Sequence, residues 1–168
     1  SSNGLVIIKS NKELLLFFKK LNKFKYKFKK NEKFLIEEYI SGKELTVSII
    51  KNKSNYQPLE VTEIVSFNKT YDYQAKYTKG FSKHFIPARI TKQNHKKCLK
   101  LSLKIHKIFK CNTLSRVDFI LSKKENKIYF LEINSQPGLT KMSLLPEQAT
   151  FKEINFESIV KELINNSK

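Results

Sequence analysis

Three segments of the chain carry apolar residues at the spacing of an α-helix. The first begins at the capping-box pattern of residues 10–13, the second runs from about Thr91 to Lys110, and the third begins at Asn155, which can cap a helix. The predicted apolar faces are Leu14, Phe17, Phe18 and Leu21 in the first helix, Cys98, Leu101, Ile105 and Ile108 in the second, and Phe156, Ile159, Val160 and Leu163 in the third.

The remaining apolar segments are short and predict strands. Residues 33–50, "KFLIEEYISGKELTVSII", predict two strands joined by a tight turn at Ser41-Gly42, and "PLEVTEIVSF", "TLSRVDFILS" and "KIYFLEINS" predict further strands. Residues 67–86 follow neither period and predict a long ordered loop, of the kind that often forms an active-site lid. Because helices and strands are mixed without regular βαβ alternation, the predicted class is α+β with largely antiparallel pairing.

Composition and charge narrow the class of protein without identifying a partner. A chain of 168 residues can form one core, or two small lobes that share a cleft. The net charge of +18 suggests nucleic-acid binding. Arginine is the residue that most often reads base edges, however, and only Arg89 and Arg116 among the 33 basic residues are arginine. Lysine, asparagine, isoleucine and phenylalanine all have A/T-rich codons, so a biased genome explains the charge without a partner.

The cysteines and two of the histidines show no spacing typical of a metal site. Cys98 and Cys111 are expected to be free thiols, and His95 and His106 are expected at the surface of the second helix. The sequence has no apolar run long enough to predict a transmembrane helix.

The best candidate site lies in a hairpin predicted from strands at 115–123 and 127–135. A three-residue loop, 124–126, would end at Asn126 in the left-handed conformation, which asparagine tolerates. In that register Asp118 faces Glu132, Arg116 faces Asn134, and these four side chains share one face. The other face would be apolar and consists of Val117, Phe119, Leu121, Leu131 and Ile133.

Two carboxylates that face each other repel unless a cation or a proton intervenes. With the amide at the strand end they predict a site for one or two Mg2+ ions that bridge phosphates. An ion-pair cluster around Arg116 is the alternative that the residues leave open. After the strand ends at residues 137–138, Ser143 and Leu144 could offer a hydroxyl and N–H groups to a carboxylate at a helix start.

Seven segments occur in the order found in the D-alanine–D-alanine ligase family of ATP-grasp enzymes. They are "SSNG", "FLIEEYISGKELTV", "YDYQAKY", "PA", "SRVDF", "FLEINSQPGLTKMSLLP" and "NFESIVKELI". The resemblance covers essentially the whole chain and implies the ATP-grasp fold, with mainly antiparallel sheets, packed helices and a nucleotide cleft between two lobes. By this resemblance residues 1–60 are part of the central subdomain, and residues 61–168 are the carboxy-terminal subdomain with its lid loop at about 67–86.

The resemblance also implies binding sites for metal and nucleotide. Asp118, Glu132 and Asn134 resemble the magnesium ligands of the family. The residues that resemble its nucleotide-binding residues are, from the base to the phosphates, Glu37, Glu38 and Ile40 at the adenine-binding edge, Ile120 beneath the base, Glu44 at the ribose and Lys76 near the phosphates.

A further set resembles the residues that handle the reacting groups. Arg116 and the Gly138 N–H are similar to the pair that stabilises the tetrahedral oxyanion. Ser143 and Leu144 resemble the binding site for the second substrate's carboxylate, and Tyr77 resembles the lid tyrosine that hydrogen-bonds the serine at Ser1.

The implied activity is ATP-dependent carboxylate–amine ligation in peptidoglycan precursor synthesis in a bacterial cytoplasm. The implied cofactors are ATP and Mg2+, with Mn2+ as an alternative, and the implied substrate is D-alanine. We expect a homodimer at full length, and no nucleic-acid or membrane partner. Gln74 stands where an acidic residue is expected, and Leu139 where methionine is common. The chain begins inside the serine-rich phosphate loop of the family, so we expect a fragment without the amino-terminal domain and the first-substrate residues.

Other functions stay open. The nearest is an ATP-grasp ligase for another amino or hydroxy acid, although "AKY" at residues 75–77 favours D-alanine over D-lactate. A basic nucleic-acid-binding module and a fragment that folds without activity are the remaining alternatives.

Overall fold

The structure is a computed structural model that describes residues 6–23, 33, 35–66, 82–140 and 142–166. The chain divides into two compact units, Ser1–Ile40 and Ser41–Lys168. The subdomain boundary expected at residue 60 falls inside a strand of the second unit, Asn55–Ser66. The assignment of residues to ATP-grasp subdomains therefore stays a prediction.

The first unit contains helix α1, Asn11–Lys23. As the sequence predicts, the Glu13 N–H donates to Ser10 Oγ at 3.2 Å. The Glu13 carboxylate accepts at 2.7 Å from the N–H of Lys9, one residue before the cap residue of the predicted capping box. The strand predicted at 33–40 is wrong for residues 35–40, which form no regular structure although Leu35 and Ile36 are apolar. A strand needs a neighbour to pair with, and the described part of this unit contains no other strand.

The described residues of the second unit form a five-stranded antiparallel sheet in the order β3-β2-β1-β4-β5. The strands are β1 Gly42–Asn52, β2 Asn55–Ser66, β3 Ser82–Phe85, β4 Leu114–Ser122 and β5 Ile128–Asn134. The helices are α2 Lys92–Ile108, α3 Leu144–Phe151 and α4 Phe156–Asn165. The predicted α+β class with antiparallel pairing is confirmed.

Two of the predicted local features have a different role in the structure. Gly42 does not form a tight turn between strands; it begins β1, where a Cβ atom would lie 2.2 Å from the Leu121 carbonyl oxygen. The close approach of β4 therefore requires glycine. The loop predicted at 67–86 is wrong for residues 82–85, which pair with β2 as strand β3. Residues 67–81 lie outside the described residues.

Each face of the sheet has its own core. Alternation along the strands places Val47 and Val117 on the face covered by α2, and Ile50 and Leu114 on the face covered by α3 and α4. Thr91 and Asn155 cap α2 and α4 through side-chain oxygens, as the sequence predicts for Asn155. Among the described residues, none of the helices has the length and apolarity needed to span a bilayer.

The buried face of α2 differs from the predicted apolar stripe. Its buried residues are Asn94, Cys98, Ser102 and His106, whereas Ile108 is 62% exposed. The expectation that His106 lies at the surface is wrong, because it is fully buried between the Tyr56 ring and Ser115 Oγ, which lies 2.8 Å from its Nδ1. Cys98 and Cys111 are free thiols, as predicted, and burial raises the pKa of Cys98 to about 11.

Candidate functional site

The β4–β5 hairpin has the predicted pairing at the candidate site, but its loop and the register next to the loop differ from the prediction. Asp118 pairs with Glu132 and Arg116 pairs with Asn134, as predicted. The hairpin loop, however, is one residue longer than expected, because Ser122 already bonds Lys127 across the strands. A bulge then restores the register, since two neighbouring residues of β4, Asp118 and Phe119, pair with Glu132 and Phe130.

The bulged residue is Leu131. The sequence predicts it in the core, but it is 49% exposed. Phe130 instead pairs with Phe119, and its ring centroid lies 6.4 Å from that of Phe119 and 6.2 Å from that of Phe109. A one-residue change of register exchanges the two faces of a strand, so the longer loop and the bulge compensate each other. Beyond the bulge Glu132 and Asn134 return to the predicted face.

Asp118 is held by neighbouring side chains. Arg116 Nε donates to its Oδ1 at 3.0 Å and Arg116 Nη2 donates to its Oδ2 at 2.9 Å, which is a bidentate pair. Thr46, its neighbour on β1, donates from Oγ1 to Asp118 Oδ1 at 2.6 Å. The predicted ion pair of Arg116 therefore forms with Asp118, while exposed Glu132 makes no hydrogen bond or ion pair within the described ranges.

The end of β5 leads directly to the helix start expected to bind a carboxylate. Asn134 Oδ1 accepts from the Gln136 N–H at 2.9 Å and turns the chain away from the sheet. A Cβ atom on Gly138 would lie 2.7 Å from Ser143 Oγ, so the two predicted residues lie close together and a side chain at 138 would displace the Ser143 hydroxyl. Ser143 caps α3 without a side-chain bond to the helix, and its Oγ lies 2.9 Å from Thr140 Oγ1.

Leu144 is the first residue of α3, and its side chain is buried. Any contact that it makes with a bound carboxylate is therefore expected through its N–H. The first N–H groups of a helix have no partner within the helix and attract anions.

Two predicted nucleotide residues lie next to the acidic pair. Glu44 of β1 pairs with Ile120 of β4, two residues along each strand from the pairing of Thr46 with Asp118. Both Glu44 and Ile120 are half-buried. Since residues two apart on a strand share a face, the structure brings them to the face that carries Asp118.

The other predicted residues belong to the first unit or lie outside the described residues. Glu37 and Glu38 are exposed and Ile40 is half-buried, all three in the first unit. Ser1, Lys76 and Tyr77 lie outside the described residues. Their proposed roles stay predictions.

Sequence reasoning missed the residue that anchors α3. Gln148 is fully buried: its Oε1 accepts from the Ser48 N–H at 2.8 Å, and its Nε2 donates to Thr62 Oγ1 at 2.9 Å and to the Thr46 carbonyl at 3.3 Å. Ser48 lies where β1 and β2 lose their regular register. Nothing local in the sequence indicates these contacts, because Gln148 lies 86 to 102 residues from its partners.

The donor set of the hairpin fits magnesium. Within the described ranges no group of three His, Cys, Asp or Glu side chains is arranged to hold a metal. Mg2+ instead uses one or two carboxylates together with water and substrate phosphates. Asp118 and Glu132, with the amide oxygen of Asn134 next along the strand, provide such a set.

Comparison with known proteins gives a consistent result. The family described as D-ala D-ala ligase C-terminus matches residues 1–165. The D-alanine–D-alanine ligase of Rickettsia typhi is 42% identical over 140 residues, which are 83% of this chain and 42% of that protein. The ligase of Carboxydothermus hydrogenoformans is 37% identical over 164 residues, which are 98% of this chain and 50% of that protein.

The solved structures agree with the sequence relatives. The crystal structure of D-alanine–D-alanine ligase from Bacillus anthracis complexed with ATP superposes with a TM-score of 0.71 at 27% identity, over 98% of this chain and 50% of that one. The chain thus spans about half the length of the proteins that it matches.

Proposed function

The chain belongs to the D-alanine–D-alanine ligase family, and we propose that it provides the nucleotide, magnesium and second-substrate side of an enzyme that joins two D-alanine molecules at the expense of ATP. The family match confirms the resemblance and the ATP-grasp fold expected from the sequence. The activity, the substrates and the assembly of the whole protein are part of the proposal.

The observation that carries the proposal is the pairing of Asp118 with Glu132 at one end of a hairpin whose continuation brings Gly138 against Ser143. The acidic pair suits a divalent cation bound to phosphates, and the helix start suits a carboxylate. An acyl-transfer ligase needs both kinds of site close together in space, because the amine that attacks the phosphorylated donor belongs to a substrate held by its own carboxylate.

In the proposed reaction the first D-alanine carboxylate attacks the γ-phosphorus of ATP, which gives an acyl phosphate and ADP. The amine of the second D-alanine then attacks the acyl carbon, and phosphate leaves as the amine loses a proton. Bound Mg2+ would offset negative charge on the transferring phosphoryl group. We propose Mg2+ as the resident ion, with Mn2+ able to replace it.

The chain's own residues have separate tasks in this scheme. Ser143 and the Leu144 N–H bind the second carboxylate, and Arg116 with the Gly138 N–H stabilises the developing oxyanion. Asp118 is positioned for the metal by Arg116 and Thr46, whose hydrogen bonds fix its carboxylate plane. The lid residues Lys76 and Tyr77 would keep water from the acyl phosphate.

The test compares two proteins. The first is the 168-residue chain. The second is a fusion in which the amino-terminal half of the C. hydrogenoformans ligase precedes the same chain, and it is called the extended enzyme. We expect D-alanine-dependent phosphate release and dipeptide from the extended enzyme, and none from the 168-residue chain. Turnover by the shorter chain would contradict the proposed division of the site.

An inactive extended enzyme, beside an active C. hydrogenoformans ligase, would contradict the proposed function itself. D-lactate and D-serine offered in place of the second D-alanine test the nearest alternative activity. Light scattering tests the homodimer that we propose for the full-length protein.

A further inference from the structure

His84 and Glu147 form a pair that the sequence analysis did not single out. His84 Nδ1 lies 2.7 Å from Glu147 Oε2, and the side chains are 18% and 39% exposed. A carboxylate can only accept a hydrogen bond, so His84 Nδ1 carries the hydrogen and donates it. The other ring nitrogen of His84 is buried and has no hydrogen-bond partner among the described residues.

The pair joins two elements that are otherwise distant along the chain. His84 belongs to β3, a four-residue strand that follows residues 67–81 and, among the described strands, pairs only with β2. Glu147 lies in the first turn of α3, and its N–H donates to the carbonyl of Ser143 at 3.2 Å. Glu147 is therefore one helical turn from the residue expected to bind the second substrate's carboxylate.

The next residue of the helix has a different anchoring role. Gln148 is fully buried and makes three hydrogen bonds to β1 and β2, which hold the body of α3 on the sheet. Loss of the partly exposed Glu147 leaves those bonds in place. Loss of Glu147 instead leaves the first helical turn free to change its orientation relative to β3.

We propose that the His84–Glu147 pair positions the second substrate by fixing the first turn of α3, and with it Ser143 and the Leu144 N–H, against the strand that follows residues 67–81. This inference rests on the proposed function of Ser143 and Leu144. Both members are positioning residues, because they act through the helix start rather than on the reacting atoms.

The consequence of a loosened helix start is specific. A second D-alanine that is held less well attacks the acyl phosphate more slowly at a given concentration, so water competes better for the same intermediate. Half-saturation by D-alanine should rise, more ATP should be used for each dipeptide, and excess D-alanine should restore the coupling. A purely structural contact would lower stability without changing these ratios.

The experiment uses the extended enzyme and compares Glu147→Ala with Glu147→Gln. We expect Glu147→Ala to raise the half-saturating D-alanine concentration about tenfold, with maximal turnover changed by less than about twofold. Glu147→Gln keeps an oxygen that accepts from Nδ1–H and should behave like the wild type. The matched control is Glu157→Ala, which removes an exposed glutamate from the first turn of α4.

His84→Ala removes the same hydrogen bond from the other side and should reproduce the effect of Glu147→Ala. The double variant should add little, as expected for two members of one contact. If Glu147→Ala fails to fold, His84→Ala and Glu147→Gln still give the comparison.

Unchanged D-alanine saturation and ATP coupling in folded Glu147→Ala would overturn the inference, as would an equal effect of Glu157→Ala. Absence of dipeptide from the unsubstituted extended enzyme would instead contradict the proposed function. The two failures are therefore distinguishable.

Discussion

Two pairs of acidic residues lie in the same sheet in different surroundings. Glu60 and Glu63 are buried on β2, and Asp118 and Glu132 face each other on the β4–β5 hairpin. The first pair lies toward the β3 edge of the sheet and the second toward the β5 edge. The two pairs differ in the groups that neutralise their negative charge.

Glu63 is neutralised by cations of the protein. Arg89 donates from Nη2 to its Oε1 at 2.8 Å and from Nε to its Oε2 at 3.0 Å, and Lys43 Nζ lies 3.2 Å from Oε1. Burial raises the pKa of Glu63, but the hydrogen bonds from Arg89 and Lys43 outweigh burial, so the pKa lies below its ordinary value.

Glu60 has a similar set of partners. It accepts from Lys152 Nζ at 2.9 Å and from the Val61 N–H at 2.9 Å, and it pairs with His95 Nε2. The sequence predicts His95 at the surface, and this prediction is wrong because the residue is half-buried. Burial raises the pKa of Glu60, and the hydrogen bonds from Lys152 and His95 more than offset that rise.

The hairpin has fewer cations for its charges. Arg116 pairs with Asp118, and within the described part of the chain no cation of the protein pairs with Glu132. Two facing carboxylates, of which only Asp118 is paired with a guanidinium, keep a local negative charge that a divalent cation can neutralise. The acids of β2 are therefore neutralised by cations of the protein, whereas Glu132 has no such partner among the described residues.

Glu132→Gln in the extended enzyme should have the largest effect. Glutamine keeps the shape of the side chain and removes one of the two charges expected to hold Mg2+. We expect turnover to fall on the order of 100-fold, as for the loss of one electrostatic group at a reacting centre. The Mg2+ concentration for half-maximal phosphate release should rise.

Thermal melts show whether that loss is a loss of folding. Without ligand the variant should be at least as stable as the wild type, because one of two repelling charges is gone. At a Mg-nucleotide concentration 100 times Kd the wild type should gain about 2.7 kcal/mol, and the variant much less. Equal ligand stabilisation in both would mean that Glu132 is not at the metal site. The control for loss of charge alone is Glu153→Gln, at an exposed glutamate after α3.

Glu60→Gln should give the opposite result in the same assays. Hydrogen bonds to charged groups are worth about 1.5–3 kcal/mol each. The free energy of unfolding should therefore fall by about the value of one such bond, about 1.5–3 kcal/mol. The Mg2+ dependence of the extended enzyme should not change. Urea denaturation of the 168-residue chain measures the loss, and a variant as stable as wild type would remove the distinction between the two acidic pairs.

The pH dependence of stability should separate the β2 acids from buried His106. Burial lowers the pKa of His106, the positive charge of Lys107 acts in the same direction, and a backbone hydrogen bond at Cys111 opposes both only in part. Since unfolded His106 binds a proton more readily, stability is complete above pH 6.5 and falls below it, toward the lower folded pKa.

The slope for one proton taken up on unfolding is at most about 1.4 kcal/mol per pH unit. His106→Gln should remove this part of the pH profile. The stabilisation by Glu60 and Glu63 is lost only below pH 4.5, as pH falls through their lowered pKa values, so it should remain. Urea denaturation from pH 7.5 to 3.5 checks both, and an unchanged slope near pH 6 in His106→Gln would refute the assignment.

Several features of the fold were determined by residues close together in the sequence. Asn155 caps α4, residues 10–13 begin α1, and Asn126 takes a positive φ of 52° at the end of the hairpin loop. Each depends on side chains and backbone groups within a few residues of each other. The alternation of polar and apolar residues likewise placed Asp118 and Arg116 on one face of β4.

The hairpin shows where local pattern stops being sufficient. The sequence predicts the pairing of Asp118 with Glu132, but the predicted loop is one residue too short and the bulge at Leu131 is not foreseen. The two differences cancel at the site. The same pattern also predicts a strand at residues 35–40, where the described part of the first unit offers no pairing partner.

Tertiary structure alone decided which polar groups are buried and with what partners. Gln148, His106, Glu60 and Glu63 lack a local pattern that marks them for the interior, and the His84–Glu147 pair joins residues 63 positions apart. A buried polar group is stable only when the fold brings it a partner. The sequence by itself therefore determined the local elements and the family, whereas the network that positions the site depends on contacts that exist only after the sheet and α3 have packed together.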